Sequence, residues 1–80
     1  MSRERRRFVV FGFGSTHDAL DAEALLGDLG VTVTPIPTPK SVGSLCGIAL
    51  RLEPADEERA RRYLEGAGIA ITSAGEIDDL

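Results

Sequence analysis

Cys46 is the residue best suited to chemistry, because it is the only cysteine in the 80-residue chain. It follows the segment PIPTPKSVGSL, which holds three of the four prolines, and directly precedes the apolar run GIAL. A loop rich in proline, serine and glycine is expected at the surface, where another protein can reach a thiol. Without a second cysteine, a group bound to this sulfur cannot be displaced by forming an internal disulfide. The pattern therefore indicates a thiol that another molecule has to reach.

Groups that stabilise a thiolate are present on the same loop and at the start of a predicted helix. The loop supplies positive charge and hydrogen-bond donors from Lys40, Ser41, Ser44 and the amide of Gly47. The helix that begins at STHDAL is capped by Ser15 or Thr16, and the free amides of its first turn favour an anion. In the predicted topology the loop 38–45 lies near this helix start. We therefore expect the pKa of Cys46 to lie below the ordinary cysteine value.

Two features favour less reactive interpretations. Cys46 falls on the same side of its strand as Ile48 and Leu50, which also suits an inert thiol packed in the core. His17 lies in the first helical turn, where it is either a base for the thiol or an exposed residue with no chemical role. Both alternatives stay open at this point.

Hydrophobic periodicity predicts the elements that position these residues. Short apolar or alternating runs indicate strands at 8–13, 31–37, 46–52 and 69–72. Two segments with apolar residues at helical spacing lie between them, one beginning at STHD and the other reading ADEERARRYLEGAG. The order βαββαβ predicts an α+β fold, a ferredoxin-like split βαβ sandwich with a four-stranded antiparallel sheet and both helices on one face.

The same patterns predict which residues face the core. The first and third strands are expected in the centre of the sheet, and the proline-bearing second strand at an edge. The third strand should place Ile48, Leu50 and Leu52 on one face. The expected apolar stripes of the helices are Ala22, Leu25, Leu26 and Leu29 in the first and Ala60, Tyr63, Leu64 and Ala67 in the second.

Charge divides the chain into a basic head over residues 1–7, a single domain over 8–72 and an acidic tail over 73–80. The net charge is −4 and no second basic patch accompanies the head, so neither nucleic acid nor a membrane is an expected partner. A lone cysteine suits a reducing compartment, and we expect a cytoplasmic location. One cysteine and one histidine offer no metal-ligand spacing, and GFGSTH matches only part of a dinucleotide-binding motif, so no metal or cofactor is expected.

Two blocks, GSTHDALDAEALL and IPTPKSVGSLCGIALRL, resemble the signature segments of a family of small bacterial domains catalogued as putative Se/S carrier proteins. The resemblance covers about residues 8–72. It implies that Cys46 carries sulfur or selenium as a persulfide or selenopersulfide, and that the partners are donor and acceptor proteins for that atom. It implies at most a sulfurtransferase-like accessory role rather than a complete enzyme. Lys40 stands where many relatives have arginine, which keeps the charge but loses bidentate anion recognition, and Gly43 stands where many have serine.

A different class of function fits the same fold. Ferredoxin-like domains also serve as non-catalytic modules that bind small anions or form dimers, and fold alone does not separate these functions. In that interpretation the loop 38–45 and the helix start bind an anion, Cys46 merely packs, and a homodimer is an open alternative. Thiol behaviour separates the two, because a carrier requires a modifiable cysteine and a binding module tolerates Cys46→Ser.

Overall fold

In the part of the chain that the structure describes, four strands and two α-helices follow one another in the order βαββαβ. The computed structural model describes residues 6–43 and 46–79. The elements are β1 (Arg6–Phe13), α1 (Thr16–Asp28), β2 (Val33–Pro37), β3 (Ile48–Leu52), α2 (Glu57–Gly66) and β4 (Ile71–Asp79). A single 3₁₀ turn, Pro54–Asp56, leads into α2. No helix in the described ranges is both long and apolar enough to cross a membrane.

The strands form one antiparallel sheet in the order β2-β3-β1-β4. The central positions of β1 and β3 are confirmed, and so is the edge position of β2. Pro35 and Pro37 explain the latter, because neither can donate a hydrogen bond to a strand on its outer side. The findings therefore establish a small α+β protein with a four-stranded antiparallel sheet and two helices.

One face of the sheet packs against both helices. Residues of β1 and β3 alternate between the two faces, and the cross-strand pairs Val9–Leu52 and Phe11–Leu50 lie on the helix side. The buried cluster on this side consists of Val9, Phe11, Phe13, Ala19, Ala22, Leu26, Val31, Leu50, Leu52, Ala60 and Leu64. The predicted face of β3 is confirmed, with Ile48 partly buried against the same cluster. Each large side chain buried here contributes roughly 1.5–3 kcal/mol to folding.

The two helices end in the same way. At the end of α1, Gly30 adopts a φ of 83°, and the amide of Val31 donates to the carbonyl of Leu26. At the end of α2, Gly68 has a φ of 75°, and the amide of Ile69 donates to the carbonyl of Leu64. Positive φ suits glycine, which lets the chain reverse and return to the sheet.

These turns correct the predicted helix stripes at their last positions. Leu29 is 42% exposed and Ala67 is exposed, because each is the C-cap residue of its helix and lies where the chain turns away. Val31 and Ile69 pack against the core instead. The remaining stripe residues pack against the core as predicted.

The fourth strand is longer than the sequence predicted. β4 pairs with β1 from Ile71, opposite Phe13, to Asp79, opposite Arg6. Most of the expected acidic tail therefore belongs to the sheet, because the polar run SAGEIDD has a full-length partner in β1. Arg6 and Arg7, predicted as part of the basic head, are likewise strand residues, and residues 1–5 of that head lie outside the described ranges.

Candidate functional site

Cys46 lies two residues before β3, half-buried at the edge of the core. Its thiol donates a hydrogen bond to the carbonyl of Ile48, with 3.1 Å between Sγ and oxygen. This bond requires the protonated sulfur, since a carbonyl oxygen cannot donate to a thiolate. A reaction that needs the thiolate must therefore first break this bond.

The backbone around Cys46 is held by Thr38, the residue that follows β2. The amide of Thr38 donates to the carbonyl of Gly47 at 3.1 Å, and its Oγ1 donates to the carbonyl of Cys46 at 3.1 Å. These two bonds continue the β2–β3 ladder one step beyond the pair Pro37–Ile48. The base of the cysteine loop is thus closed and well anchored. The sequence analysis did not identify Thr38, although its place directly after a strand, across from a Cys-Gly pair, is the signal that points to it.

The loop tip folds over the face of the sheet that the helices leave open. The amides of Val42 and Gly43 both donate to the carbonyl of Pro39 at 3.1 Å, and Gly43 has a φ of 71°. Ser73 of β4 donates a hydrogen bond of 2.5 Å from its Oγ to the carbonyl of Gly43. Val42 lies over Gly75 so closely that a Cβ at Gly75 would stand 3.1 Å from Cγ2 of Val42. The tip therefore rests on β4.

Cys46 and the turn lie on different faces of the sheet. Cys46 packs on the helix side, whereas the turn that contains Lys40 and Ser41 lies toward β4 with both residues exposed. The thiolate-stabilising role assigned to Lys40 and Ser41 stays a prediction. Ser44 lies outside the described residues.

The start of α1 shares a sheet end with Cys46. β1 and β3 are antiparallel with Gly12 opposite Ala49, so the residues that follow β1 and those that precede β3 lie at the same end. Ser15 is the N-cap, as predicted, and its Oγ accepts a hydrogen bond of 3.1 Å from the amide of Asp18. Thr16 is the first helical residue and is exposed. The stabilising role assigned to these residues stays a prediction.

His17 is oriented by a neighbour on its own helix. Its Nδ1 lies 3.4 Å from Oδ2 of Asp21, one turn further along α1. Ligand atoms of His17, Asp18 and Asp21 lie within 4.8 Å of one another, so the three residues form a partial donor set for a cation. A structural zinc site requires four ligands, and these three leave at least one position to solvent. The sequence analysis missed this group, whose signal is the i, i+4 spacing of His17 and Asp21.

Gly47 offers an open approach to the thiol. It is exposed, and a Cβ added there would meet nothing within 4 Å. Its φ is not positive, so neither packing nor backbone conformation requires glycine at this position. Gly47 is therefore an exposed position next to Cys46 in the chain at which a side chain would meet no other described residue within 4 Å.

A cavity surrounds Phe8 at the other end of the helix-free face. The guanidinium carbons of Arg51 and Arg6 lie 4.3 and 5.0 Å from the centre of the Phe8 ring, and Arg6 also pairs with Glu53. Together with Thr32 and Thr34, these residues line a cavity of about 320 Å³. The cavity includes Arg51 and Leu52 at the end of β3, whereas Cys46 lies just before the start of that strand.

Comparison with known proteins assigns the domain to a family. The model of the family described as "Putative Se/S carrier protein-like" matches residues 8–74, a range that includes both helices, the cysteine loop and most of the sheet. No curated protein and no solved structure matches the chain.

Proposed function

Because this chain belongs to the putative Se/S carrier protein-like family, we propose that it carries sulfur or selenium on Cys46 for transfer between partner proteins. The observation that carries the proposal is the setting of Cys46, the chain's only cysteine, half-buried on an anchored backbone beside the open Gly47. A carrier must expose its cargo to a second active site while holding the attachment point still. The two hydrogen bonds from Thr38 supply that rigidity.

Loading is a displacement at sulfur. The thiolate of Cys46 attacks the outer sulfur of a donor persulfide, a new S–S bond forms, and the donor's S–S bond breaks. The donor's inner sulfur leaves as a thiolate with the electron pair of the broken bond. The product on this chain is a Cys46 persulfide, and no external oxidant is required. The same displacement at the selenium of a donor perselenide gives a selenopersulfide.

Delivery repeats the displacement in the opposite sense. A nucleophile of the acceptor protein attacks the outer sulfur or selenium, and Cys46 leaves as a thiolate. The proton that returns to this thiolate re-forms the hydrogen bond to the Ile48 carbonyl, so the resting position of the thiol is regained. The chain acts as an accessory to donor and acceptor proteins and performs no net chemistry on the cargo.

Intact mass spectrometry tests the proposal directly. The wild-type protein, freshly reduced and then exposed to a small persulfide donor, should gain the mass of one sulfur atom, and a perselenide donor should add one selenium atom. A thiol reductant should remove the added atom from the protein. Cys46→Ser should gain nothing under either condition.

A matched comparison distinguishes a carrier from a merely exposed thiol. Native protein and protein in denaturant should be loaded under the same conditions, with the rate per thiolate compared. Faster loading in the native state supports the carrier function. A native thiol that never gains sulfur or selenium, while the denatured chain does, would establish Cys46 as a packing residue.

We also propose that the domain is a ferredoxin-like split βαβ sandwich. The strand order β2-β3-β1-β4 and the placement of one helix after β1 and one after β3 support this classification. An experimental structure that placed α1 and α2 on opposite faces of the sheet would contradict it.

The cavity around Phe8 favours a second candidate function, a module that binds small anions. Two guanidinium groups held over one ring concentrate positive charge at this cavity, and the hydroxyls of Thr32 and Thr34 lie beside them. An oxyanion would have to compete with Glu53 for Arg6. Inorganic phosphate titrated into the ¹⁵N-labelled protein should then shift the amides near Phe8 and Thr34, and Arg51→Gln should weaken the shifts. Phosphate shifts that appear instead at the start of α1, or nowhere, would contradict this site.

A further inference from the structure

The two edges of the sheet differ in what they offer to another strand. β2 is five residues long and carries Pro35 and Pro37, which lack amide hydrogens and discourage further pairing. β4 is nine residues long, contains no proline and no basic residue, and ends the strand order. Its pairing with β1 is regular from Ser73 to Asp79, and a register shift at Thr72 interrupts it near the start of the strand. Within the described ranges no strand pairs with the outer edge of β4, so its outward amides and carbonyls have no strand partner there.

The helix layer also stops short of β4. Ala74 and Glu76 lie opposite Phe11 and Val9, which are fully or almost fully buried on the helix side. Ala74 and Glu76 are nevertheless exposed. Both the edge and the helix side of β4 are therefore accessible to a partner strand.

The charge pattern of β4 selects one way of pairing two copies. Its first half, ITSAG, is uncharged, and its second half contains Glu76, Asp78 and Asp79. Glu76 also lies 3.8 Å from Arg7 of its own chain. Parallel pairing in register would place each acid beside its own copy, which is destabilising. Antiparallel pairing centred on Gly75 places Glu76 opposite Ala74 of the second copy. Asp78 and Asp79 then lie beside the uncharged start of that strand, where its register shifts at Thr72.

We propose that β4 pairs with β4 of a second copy across a two-fold axis at Gly75, joining the two sheets into one of eight strands. Such an interface is self-complementary, as two-fold symmetry requires. The acidic half of each strand then runs along the uncharged half of the other. Main-chain hydrogen bonds supply the attraction, and the acids fix orientation and register.

Sedimentation equilibrium over a range of concentrations, in reductant so that no Cys46 disulfide forms, tests this inference. The mass should rise from that of one 8.5 kDa chain towards twice that value. Cys46→Ser should dimerise like the wild type, so the result does not depend on sulfur carriage. A protein that stays monomeric throughout would overturn the proposal, including the case in which β4 serves a strand of a different protein.

A pair of opposite charges at one position tests the register. Ala74→Lys places a cation opposite Glu76 of the second copy, and two-fold symmetry repeats the pair, so the dimer Kd should fall about three- to tenfold. Ala74→Glu places like charges there and should raise the Kd by a similar factor. Ala74 is exposed, so both variants should fold with an unchanged circular dichroism spectrum.

The control is the same pair of substitutions at Thr34, an exposed residue of the β2 edge. Thr34→Lys and Thr34→Glu change the net charge equally, yet should leave the Kd within twofold of the wild type. Equal responses at the two positions would show that net charge rather than the β4 edge governs association, and would overturn the proposal. A dimer Kd that is the same for the wild type, Ala74→Lys and Ala74→Glu would also overturn it.

Discussion

The two faces of this sheet are covered by different means. The helix side is covered by α1 and α2, whose small residues Ala19, Ala22 and Ala60 let the helices approach β1 and β3 closely. The other side has no helix, yet Val10 and Ala49 are completely buried there. A loop tip and arginine side chains provide that cover.

The cover on the helix-free side divides into two parts. Val42 and Gly43 of the loop lie on β4 beside Val10, which pairs with Gly75. Arg51 lies over the Phe8 ring at the other end. The helix side is therefore one continuous buried core. The other face is covered by a few separate contacts, each of which a single substitution can change.

The largest effect is expected from a substitution on the helix side. Leu50 is 1% exposed in the middle of that core. Leu50→Ala should lower the free energy of unfolding by about 2–5 kcal/mol, because it removes buried methyl groups and leaves a cavity. Urea denaturation followed by circular dichroism measures the change. A loss below about 1 kcal/mol would mean that the helix side is packed far more loosely than the structure indicates.

A smaller effect is expected where the loop tip meets β4. Gly75→Ala introduces a Cβ that would lie 3.1 Å from Cγ2 of Val42, so Val42 must move by a few tenths of an ångström. The hydrogen bond between Ser73 and the carbonyl of Gly43 resists that movement. We expect a loss of about 1–3 kcal/mol in the free energy of unfolding. The double variant Val42→Ala, Gly75→Ala should recover part of that loss, since it removes the conflicting methyl group.

The coupling between those two positions is the decisive quantity. Urea denaturation of the wild type, both single variants and the double variant completes a double-mutant cycle. A favourable interaction energy between the two alanines would show that Val42 and Gly75 are in contact, and that this contact covers part of the helix-free face. Strict additivity would show that Val42 does not rest on Gly75.

The smallest effect is expected at the base of the loop. Thr38→Val keeps the amide bond to Gly47 but removes the Oγ1 bond to the Cys46 carbonyl. We expect a loss of about 0.5–1.5 kcal/mol and faster alkylation of Cys46, because the thiol's backbone is less firmly held. Thr34→Val is the matched control, the same substitution at an exposed position of the adjoining strand β2. If Thr38→Val and Thr34→Val have the same free energy of unfolding and the same rate of Cys46 alkylation, Thr38 does not anchor the loop.

The helix side was largely predictable because its signals are local. The alternation of Ile48, Leu50 and Leu52, and the spacing of Ala22 and Leu26, each follow from one element's own periodicity. The cap at Ser15 is equally local, since its partner Asp18 is three residues away. The prediction failed at Leu29 because α1 ends at Asp28, so Leu29 is the C-cap residue rather than part of the buried stripe.

The helix-free side was not predictable because its contacts join distant residues. Ser73 and Gly43 are thirty positions apart, and no periodicity connects them. Pairing with β1 also extends β4 to Asp79, opposite Arg6, although its last residues form a polar run with no strand periodicity of its own. Cys46 was identified from its residue type and its loop, whereas the position of the loop tip depends on contacts with β4, a strand thirty residues further along the chain.

The pairing of Arg6 with Asp79 also has a consequence for the order of folding. β1 is made first but its two sheet neighbours, β3 and β4, are made late, so most of the chain must be closed into a loop before the sheet is complete. A nascent chain that ends before Ile71 lacks both a neighbour of β1 and the surface that receives Val42. Val42 and Gly43 therefore reach their native positions only when β4 has paired with β1.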